Sequence, residues 1–400
     1  MPQALVAHPR GPEECLEPCA GGRAGAKRLR VLAVAPVSDY AGFNTSAQRV
    51  RALAGLGCET EVVDSTKRFP GKIAELDFRL RSRLFLKGLP VSHADPLDDN
   101  GRLLSQADNG PWDVLWIDKG LSLFPATLEQ FRRLQPRCRI LGYSPDDMAR
   151  RGNQSWQFLR HLPLYDIFFT TKSYNVAELR ELGCGRVVHV GNAYCPDCFR
   201  PMPVDKADFE RLGGEVGFIG SYEAERAHSM ARLAQAGVPV RVWGGGWRRQ
   251  AAQAGLAVER RPLLGDDYAR ACCAFKINLC FLRKANRDLQ TTRSIEIPAC
   301  GAFMLAERSE EHSRLFVEGK EAEFFASDEE LIDKCKFYLA HDAARQAIAA
   351  NGLARCVAGG YSNTARMREM LAAALGAPPA GTSDDEACPM TEQRFEETCA

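Results

Sequence analysis

Thr292-Arg-Ser-Ile-Glu-Ile-Pro-Ala-Cys-Gly-Ala-Phe-Met-Leu-Ala-Glu307 carries two patterns back to back. Its first half reads as a helix that begins near Thr292 and runs to Cys300. Its second half, from Ala302 to Ala306, is an unbroken apolar run, which suits a strand buried on both faces of a sheet. Gly301 falls between them, where glycine lets the backbone turn sharply from helix to strand. A helix leading straight into a doubly buried strand is half of a parallel α/β repeat, and the flanking sequence is expected to supply the rest.

Upstream, Glu215-Val-Gly-Phe-Ile-Gly220 reads as a strand, followed by a helix over 224–236 and a strand from Val238 to Trp243. A helix near 266–272 and the strand Phe275–Cys280 come next. Downstream, helices are expected over 328–340 and 342–357. An earlier series has the same character. Arg30–Ala35 is a strand, a loop follows, and SAQRVRALAGLG is a helix with apolar Val50, Leu53 and Leu56. Strands follow at Glu59–Asp64, Trp112–Asp118, Arg139–Tyr143, Asp166–Thr171 and Arg186–Val190, with helices at 125–134 and 174–182 and a less readable helical stretch at 66–89. The parse is α/β, two Rossmann-like domains with parallel sheets. The expected boundaries are a tail at 1–27, a first domain at 28–194, a connector at 195–213, a second domain at 214–357, a helix at 358–375 and a tail at 376–400. Both tails are Gly-, Pro- and Ala-rich and read as disordered.

Bulk properties narrow the function. Four hundred residues fit two domains, and a net charge of +1 lacks the basic surplus of a nucleic-acid binder. No apolar run approaches the ~20 residues that span a bilayer. The first residues lack the basic-then-apolar order of a signal peptide, so a cytoplasmic protein is expected. The 15 cysteines are scattered and odd in number, against a disulfide framework. Cys195-Pro-Asp-Cys198 has no second pair or histidines at ligand spacing, so no metal site is expected there.

Four segments resemble, in order, landmarks of GT-B glycosyltransferases, in particular the group holding family 4 enzymes and the CgeB-like spore-maturation glycosyltransferases. The opening strand, the loop holding Gly42 and the helix after it resemble the start of these enzymes. There, a glycine loop passes under the donor's sugar and diphosphate. The loop lacks the full GxGxxG spacing, which disfavours a dinucleotide site. Val190-Gly-Asn-Ala-Tyr-Cys-Pro-Asp-Cys-Phe-Arg-Pro201 is similar to the family's crossover between domains, with Ala193 for the usual Gly and Cys195 where Asp is common. Gly217-Phe-Ile-Gly-Ser-Tyr-Glu-Ala-Glu-Arg226 resembles the first strand and loop of the nucleotide-binding domain. Arg226 matches a basic residue that faces the donor diphosphate; the alternative is a solvated helix arginine. The fourth segment is the opening one, which resembles the R-x-x-E-x-x-A-C-G pattern of CgeB-like chains. By that resemblance Glu296 accepts hydrogen bonds from the ribose hydroxyls, and Gly301 turns beneath the nucleotide. Asp288 stands where family 4 has a second Glu. Arg293 either pairs with Glu296 or faces the diphosphate.

The resemblance implies transfer of a sugar from a nucleotide-diphosphate sugar to a glycan or other hydroxyl acceptor. No cofactor or metal is expected, because basic side chains and helix N-termini neutralise the diphosphate. Arg226 and Arg293, with Lys284 or Arg287, are the candidate cations, and retention of anomeric configuration follows if family 4 chemistry carries over. Asp146 and Asp147 are the candidates for acceptor contact or general base, against the alternative of a helix N-cap with an acidic first turn. His161 and His189 are cleft candidates of lower rank. An epimerase, or a non-catalytic binding protein keeping the same shell, remains open as an alternative.

Overall fold

The computed structural model describes residues 28–39, 44–247 and 253–376. Gly42 and both expected tails, apart from Gly376, lie outside the described residues. The first half contains β1 (Arg30–Ala35), α1 (Thr45–Gly55), β2 (Glu59–Asp64), α2 (Lys72–Leu86), α3 (Asp99–Ala107), β3 (Val114–Asp118), α4 (Pro125–Leu134), β4 (Arg139–Ser144), α5 (Trp156–His161), β5 (Ile167–Thr170), α6 (Asn175–Glu181) and β6 (Val187–His189). The second half contains α7 (Lys206–Leu212), β7 (Gly214–Ile219), α8 (Ala224–Gln235), β8 (Val240–Trp243), β9 (Leu256–Val258), α9 (Asp266–Ala274) and β10 (Phe275–Cys280). It continues through α10 (Arg293–Ala299), β11 (Met304–Glu307), α11 (Glu310–Leu315), β12 (Glu323–Phe325), α12 (Asp328–Ala340), α13 (Asp342–Ala358) and α14 (Asn363–Leu375).

Each half holds one six-stranded sheet, ordered β2-β1-β3-β4-β5-β6 and β12-β11-β10-β7-β8-β9. All pairings within them are parallel. Every residue of β3 is buried, as its apolar run requires when helices cover both faces. Several helices start on a capping side chain: Asn44 accepts from Ala47 N at 2.8 Å, and Ser327 and Ser362 cap α12 and α14. Helix α4 opens on Pro125, which lacks the amide that would be left unpaired there.

Strand order reverses between β1 and β3 in the first sheet and between β7 and β10 in the second. Crevices open beyond the strand C-termini at such points. The last helix returns to the first half, where Met367, Met370 and Leu371 of α14 share a core with Val31, Leu53 and Trp116. The stretch expected as a plain connector contains α7, capped by Asp205.

Candidate functional site

The two halves meet at the C-terminal ends of their strands. The loop between β10 and α10 docks on the loops that follow β4 and β5. Asn286 Oδ1 accepts from the backbone amide of Asp147 at 3.0 Å, and the Tyr174 hydroxyl donates to the Asn286 carbonyl at 2.8 Å. Arg287 donates to both oxygens of Asp147, at 2.6 and 2.9 Å, and to Glu178 at 2.9 Å. Arg287 holds a left-handed φ of +46°, which a non-glycine residue adopts only at a cost when its surroundings enforce it. Lys172 and Asp288, both buried, pair across the same junction at 2.6 Å. Ser173 donates to Glu311 at 2.7 Å.

These contacts decide how several expected site residues are used. Asp147 has no exposed side-chain surface, and its Oδ1 also accepts from Asn175 at 2.9 Å and from Ala149 N at 3.2 Å. Burial alone would raise its pKa, but the bonds from Arg287 and Asn175 outweigh that and hold it below the usual carboxylate range. No α-helix begins at Asp146 or Asp147, so the N-cap alternative is corrected: Asp147 closes a turn and clamps the halves together. Asp146 forms an ion pair with Lys119. The expected free cations Arg287 and Lys284 are also spoken for, Lys284 by Glu307. Asp288 faces Lys172 rather than open space.

Three other expected residues do converge, at the switch point of the second sheet. Arg226 lies in the first turn of α8, the helix after β7, and Arg293 opens α10, reached from β10 through the docking loop. Both guanidinium groups sit over the ring of Phe218, at 5.7 and 5.9 Å from its centroid. Arg226 is buried, not solvated. Its Nη1 donates to the Ser221 carbonyl at 3.3 Å, while Nη2 lies 3.3 Å from Glu223 without hydrogen-bond alignment. Among the described residues ten buried side-chain polar atoms lack a hydrogen-bond partner, and three are Nε and Nη2 of Arg226 and Nε of Arg293. Burial, then the neighbouring Arg293 charge, lowers the Arg226 pKa. Two like charges held together, one buried and one half-buried, have buried donors to spare and call for an anion.

Glu296, one turn into α10, is buried and accepts from the Tyr268 hydroxyl at 3.0 Å. Burial raises its pKa, opposed by the Arg293 charge and by hydrogen bonds from Tyr268 and Thr292. No Arg293–Glu296 hydrogen bond forms. Gly301 makes the expected turn, with φ +67°, but at the start of β11, away from the cleft. A Cβ there would lie 3.4 Å from Pro201, so its part is packing of the crossover.

A cavity of about 300 Å³ opens at the switch point of the first sheet, lined by residues after β1, β2 and β3 and by the segment before α3. Phe69, Phe78 and His93 form an aromatic wall, with ring centroids 5.2 and 5.5 Å apart. Asp118 ends β3 in the opposite wall. Its Oδ2 accepts twice from buried Arg49, at 3.1 and 2.7 Å, while Oδ1 has no partner. Lys119, next in the chain, has a left-handed φ of +64°. His161 lies beneath, fully buried, with Nε2 3.0 Å from the Gly120 carbonyl; its pKa is pushed down to about 4 by burial. His189 is exposed, at the end of edge strand β6. Tyr268, Lys172, Asp118 and this cavity were not foreseen. The available signal was position alone, since Lys172 and Asp118 end or follow expected strands. Among the described residues no cluster of histidine, cysteine and carboxylate suited to a metal occurs, and no helix is long and apolar enough to cross a membrane.

With this geometry in view, comparison with known proteins gives a consistent result. Residues 226–372 match the family model described as glycosyl transferase-like, a span that includes Arg226, Arg293 and Glu296. No curated protein matched. Among solved structures, the sucrose-phosphate synthase of Thermosynechococcus elongatus is 14% identical with a TM-score of 0.58, covering 88% of this chain and 100% of that one. Anabaena HepE in complex with UDP-glucose is 12% identical with a TM-score of 0.57, over 86% of this chain and 100% of that one. A UDP-forming trehalose-phosphate synthase of Burkholderia xenovorans is 12% identical with a TM-score of 0.59, over 87% and 99%. The fold is GT-B, the two-sheet architecture of glycosyltransferases.

Proposed function

We propose that this chain is a glycosyltransferase that moves a sugar from a nucleotide-diphosphate sugar to a hydroxyl acceptor, without a metal and with retention of anomeric configuration. The observation that carries the reading is the pair Arg226, buried, and Arg293, half-buried beside it, with buried guanidinium N–H groups unfilled on both. A diphosphate supplies acceptor oxygens of the right number and charge, and the same arginines offset the charge that grows on the leaving nucleotide. The N-terminus of α8 adds its partial positive charge. Glu296, held by Tyr268, takes the ribose hydroxyls. The solved HepE structure contains UDP-glucose and the trehalose-phosphate synthase is UDP-forming, so a UDP-sugar is the donor of first choice. The Arg293–Gly301 motif supports the finer CgeB-like assignment.

The cavity of the first half is the acceptor site in this reading. Asp118, with a lone pair unfilled, and Asp146, beside Lys119, contact the acceptor hydroxyls. Asp147 and Asp288 act as positioning residues: they hold the two halves together through Arg287 and Lys172. A reaction with retention needs no strong base, which agrees with Asp147 having no free oxygen.

The test is thermal shift of the wild type and of Glu296→Ala with UDP-, GDP-, ADP- and CDP-sugars. One nucleotide series is expected to raise the melting temperature of the wild type, and the variant is expected to lose the effect. A folded wild type that responds to none of them would defeat the donor reading.

A further inference from the structure

Helix α2 is built unlike the helices that cover the sheets. Phe85 is its only buried side chain. Phe78 and Phe85 turn inward onto His93, at 5.5 and 5.7 Å between ring centroids. The other face is apolar and open: Ile73, Leu76 and Leu80 are 86%, 68% and 54% exposed. Their i, i+3, i+7 spacing makes one stripe along the helix. Leu86 and Leu89 are exposed just beyond it. A helical projection puts Lys72, Arg79 and Arg83, all exposed, along one flank of that stripe, and exposed Lys87 caps the helix at its end. From Lys72 to Lys87 there are five basic residues against two acidic ones. Both acids are already paired within the helix, Glu75 with Arg79 and Asp77 with Arg81. The chain as a whole is nearly neutral, so this charge is local.

We propose that α2 lies flat on an anionic bilayer surface, with Ile73, Leu76 and Leu80 at the acyl boundary and the basic flank among the headgroups. A soluble helix gains nothing from a continuous exposed Leu/Ile stripe, whereas an interfacial helix needs that stripe together with a cationic border. A protein partner would also cover apolar surface, but the unpaired positive charge selects an anionic one, and a bilayer presents both properties over the whole helix of about 22 Å. The opposite face of the helix walls the cavity through Phe78. A chain seated this way opens its first half beside the membrane, where acceptors carried in the lipid layer are within reach; that extension rests on the transferase reading, while the docking itself does not.

Co-sedimentation of the full chain with vesicles tests it. Binding is expected to vesicles containing about one third phosphatidylglycerol in phosphatidylcholine, and not to phosphatidylcholine alone. It should collapse in about 1 M salt, where the Debye length falls to about 3 Å. Leu76→Glu with Leu80→Glu, and separately Arg83→Glu with Lys87→Glu, should each lower the partition coefficient at least tenfold with the melting temperature and nucleotide response unchanged. No binding by the wild type, or equal binding by the leucine variant, would overturn the proposal. So would light scattering that shows a dimer which the leucine variant abolishes, since the stripe would then serve a second copy of the chain. A nucleotide response without vesicle binding refutes only the docking; the reverse result refutes only the donor reading.

Discussion

The two switch points leave opposite kinds of charged group unfilled. At the first sheet the charged orphan beside the cavity is a carboxylate oxygen, Asp118 Oδ1, with the ring nitrogen Nδ1 of His93 in the same cavity's wall unfilled as well. At the second the orphans are N–H groups of Arg226 and Arg293. A lone pair waits for a donor such as a hydroxyl; an N–H cluster waits for an acceptor such as a phosphate. In the proposed reading, the charge of these unfilled groups sorts the two crevices into a hydroxyl side and a diphosphate side. The two buried arginines differ in the same sense. Arg49 has its carboxylate at 2.7 Å and stacks on Tyr143, whereas Arg226 faces the Arg293 charge and its pKa is pushed down by burial and by that neighbour.

That contrast breaks first under substitution of the satisfied pair. Asp118→Ala strands the Arg49 charge in the core and should cost about 3–5 kcal/mol of stability, read by urea unfolding of the free protein. A loss under about 1 kcal/mol would mean that Arg49 finds another partner and that the two settings are alike. Arg226→Met is the mirror experiment. Removing a cation whose pKa burial and the Arg293 charge push down should leave stability unchanged or raised, as for groups kept at a functional site against the interest of the fold. Transfer should nevertheless fall about 100- to 1,000-fold, or 2.7–4 kcal/mol in the barrier, by steady-state kinetics with the donor found from thermal shifts. A variant that loses stability in step with activity would make Arg226 a structural residue.

Sequence and structure agree most where one local signal suffices. β1, β2 and β10 stand at the residues expected for them: β1 is a nearly unbroken apolar run, and in β2 and β10 apolar and β-branched residues sit between a helix and a breaker, which admits little else. β9 and β12, three residues each at the sheet edges, are too short to show a period, and α5 and α11 are short for the same reason. Of the candidate site, Arg226, Arg293 and Glu296 are motif positions and do come together. What no local pattern carries is the use made of a side chain by a distant one. The Asp147–Arg287 clamp joins residues 140 apart, and Lys172–Asp288 joins residues 116 apart. An acidic pair at a strand end reads the same whether it meets a substrate or an arginine from the other domain.

The hydroxyl side can be sharpened by acid. His161, enclosed beneath Gly120, ionises only near pH 4, whereas an unfolded histidine does so near 6.5. Between these values the unfolded chain binds the extra proton, so stability falls as the pH drops through that window. The full shift corresponds to about 3 kcal/mol. His161→Gln should flatten that slope in a pH series of urea midpoints, leaving the share of His93, His189 and His312, whose pKa values burial also lowers; an unaltered slope would place the titrating group elsewhere.

The smallest effect probes the diphosphate side through Glu296. Its carboxyl is raised above the usual range, burial being the main cause. A carboxyl with a raised folded pKa holds its proton in the native state where the unfolded chain has released it. Its ionisation therefore works against folding as pH rises through the folded value, and the penalty is absent below the ordinary value of about 4.3. Glu296→Gln keeps the shape and an oxygen for the Tyr268 hydroxyl while deleting the charge. At neutral pH the free variant should gain about 1 kcal/mol, a gain that fades below about pH 4, and it should lose most of its nucleotide response. Stabilisation together with lost binding would show that the charge is held in the second sheet for a ligand's hydroxyls, as Arg226 and Arg293 are held for its phosphates. A destabilised variant would instead make Glu296 a structural partner of Arg293, and the two switch points would no longer differ in kind.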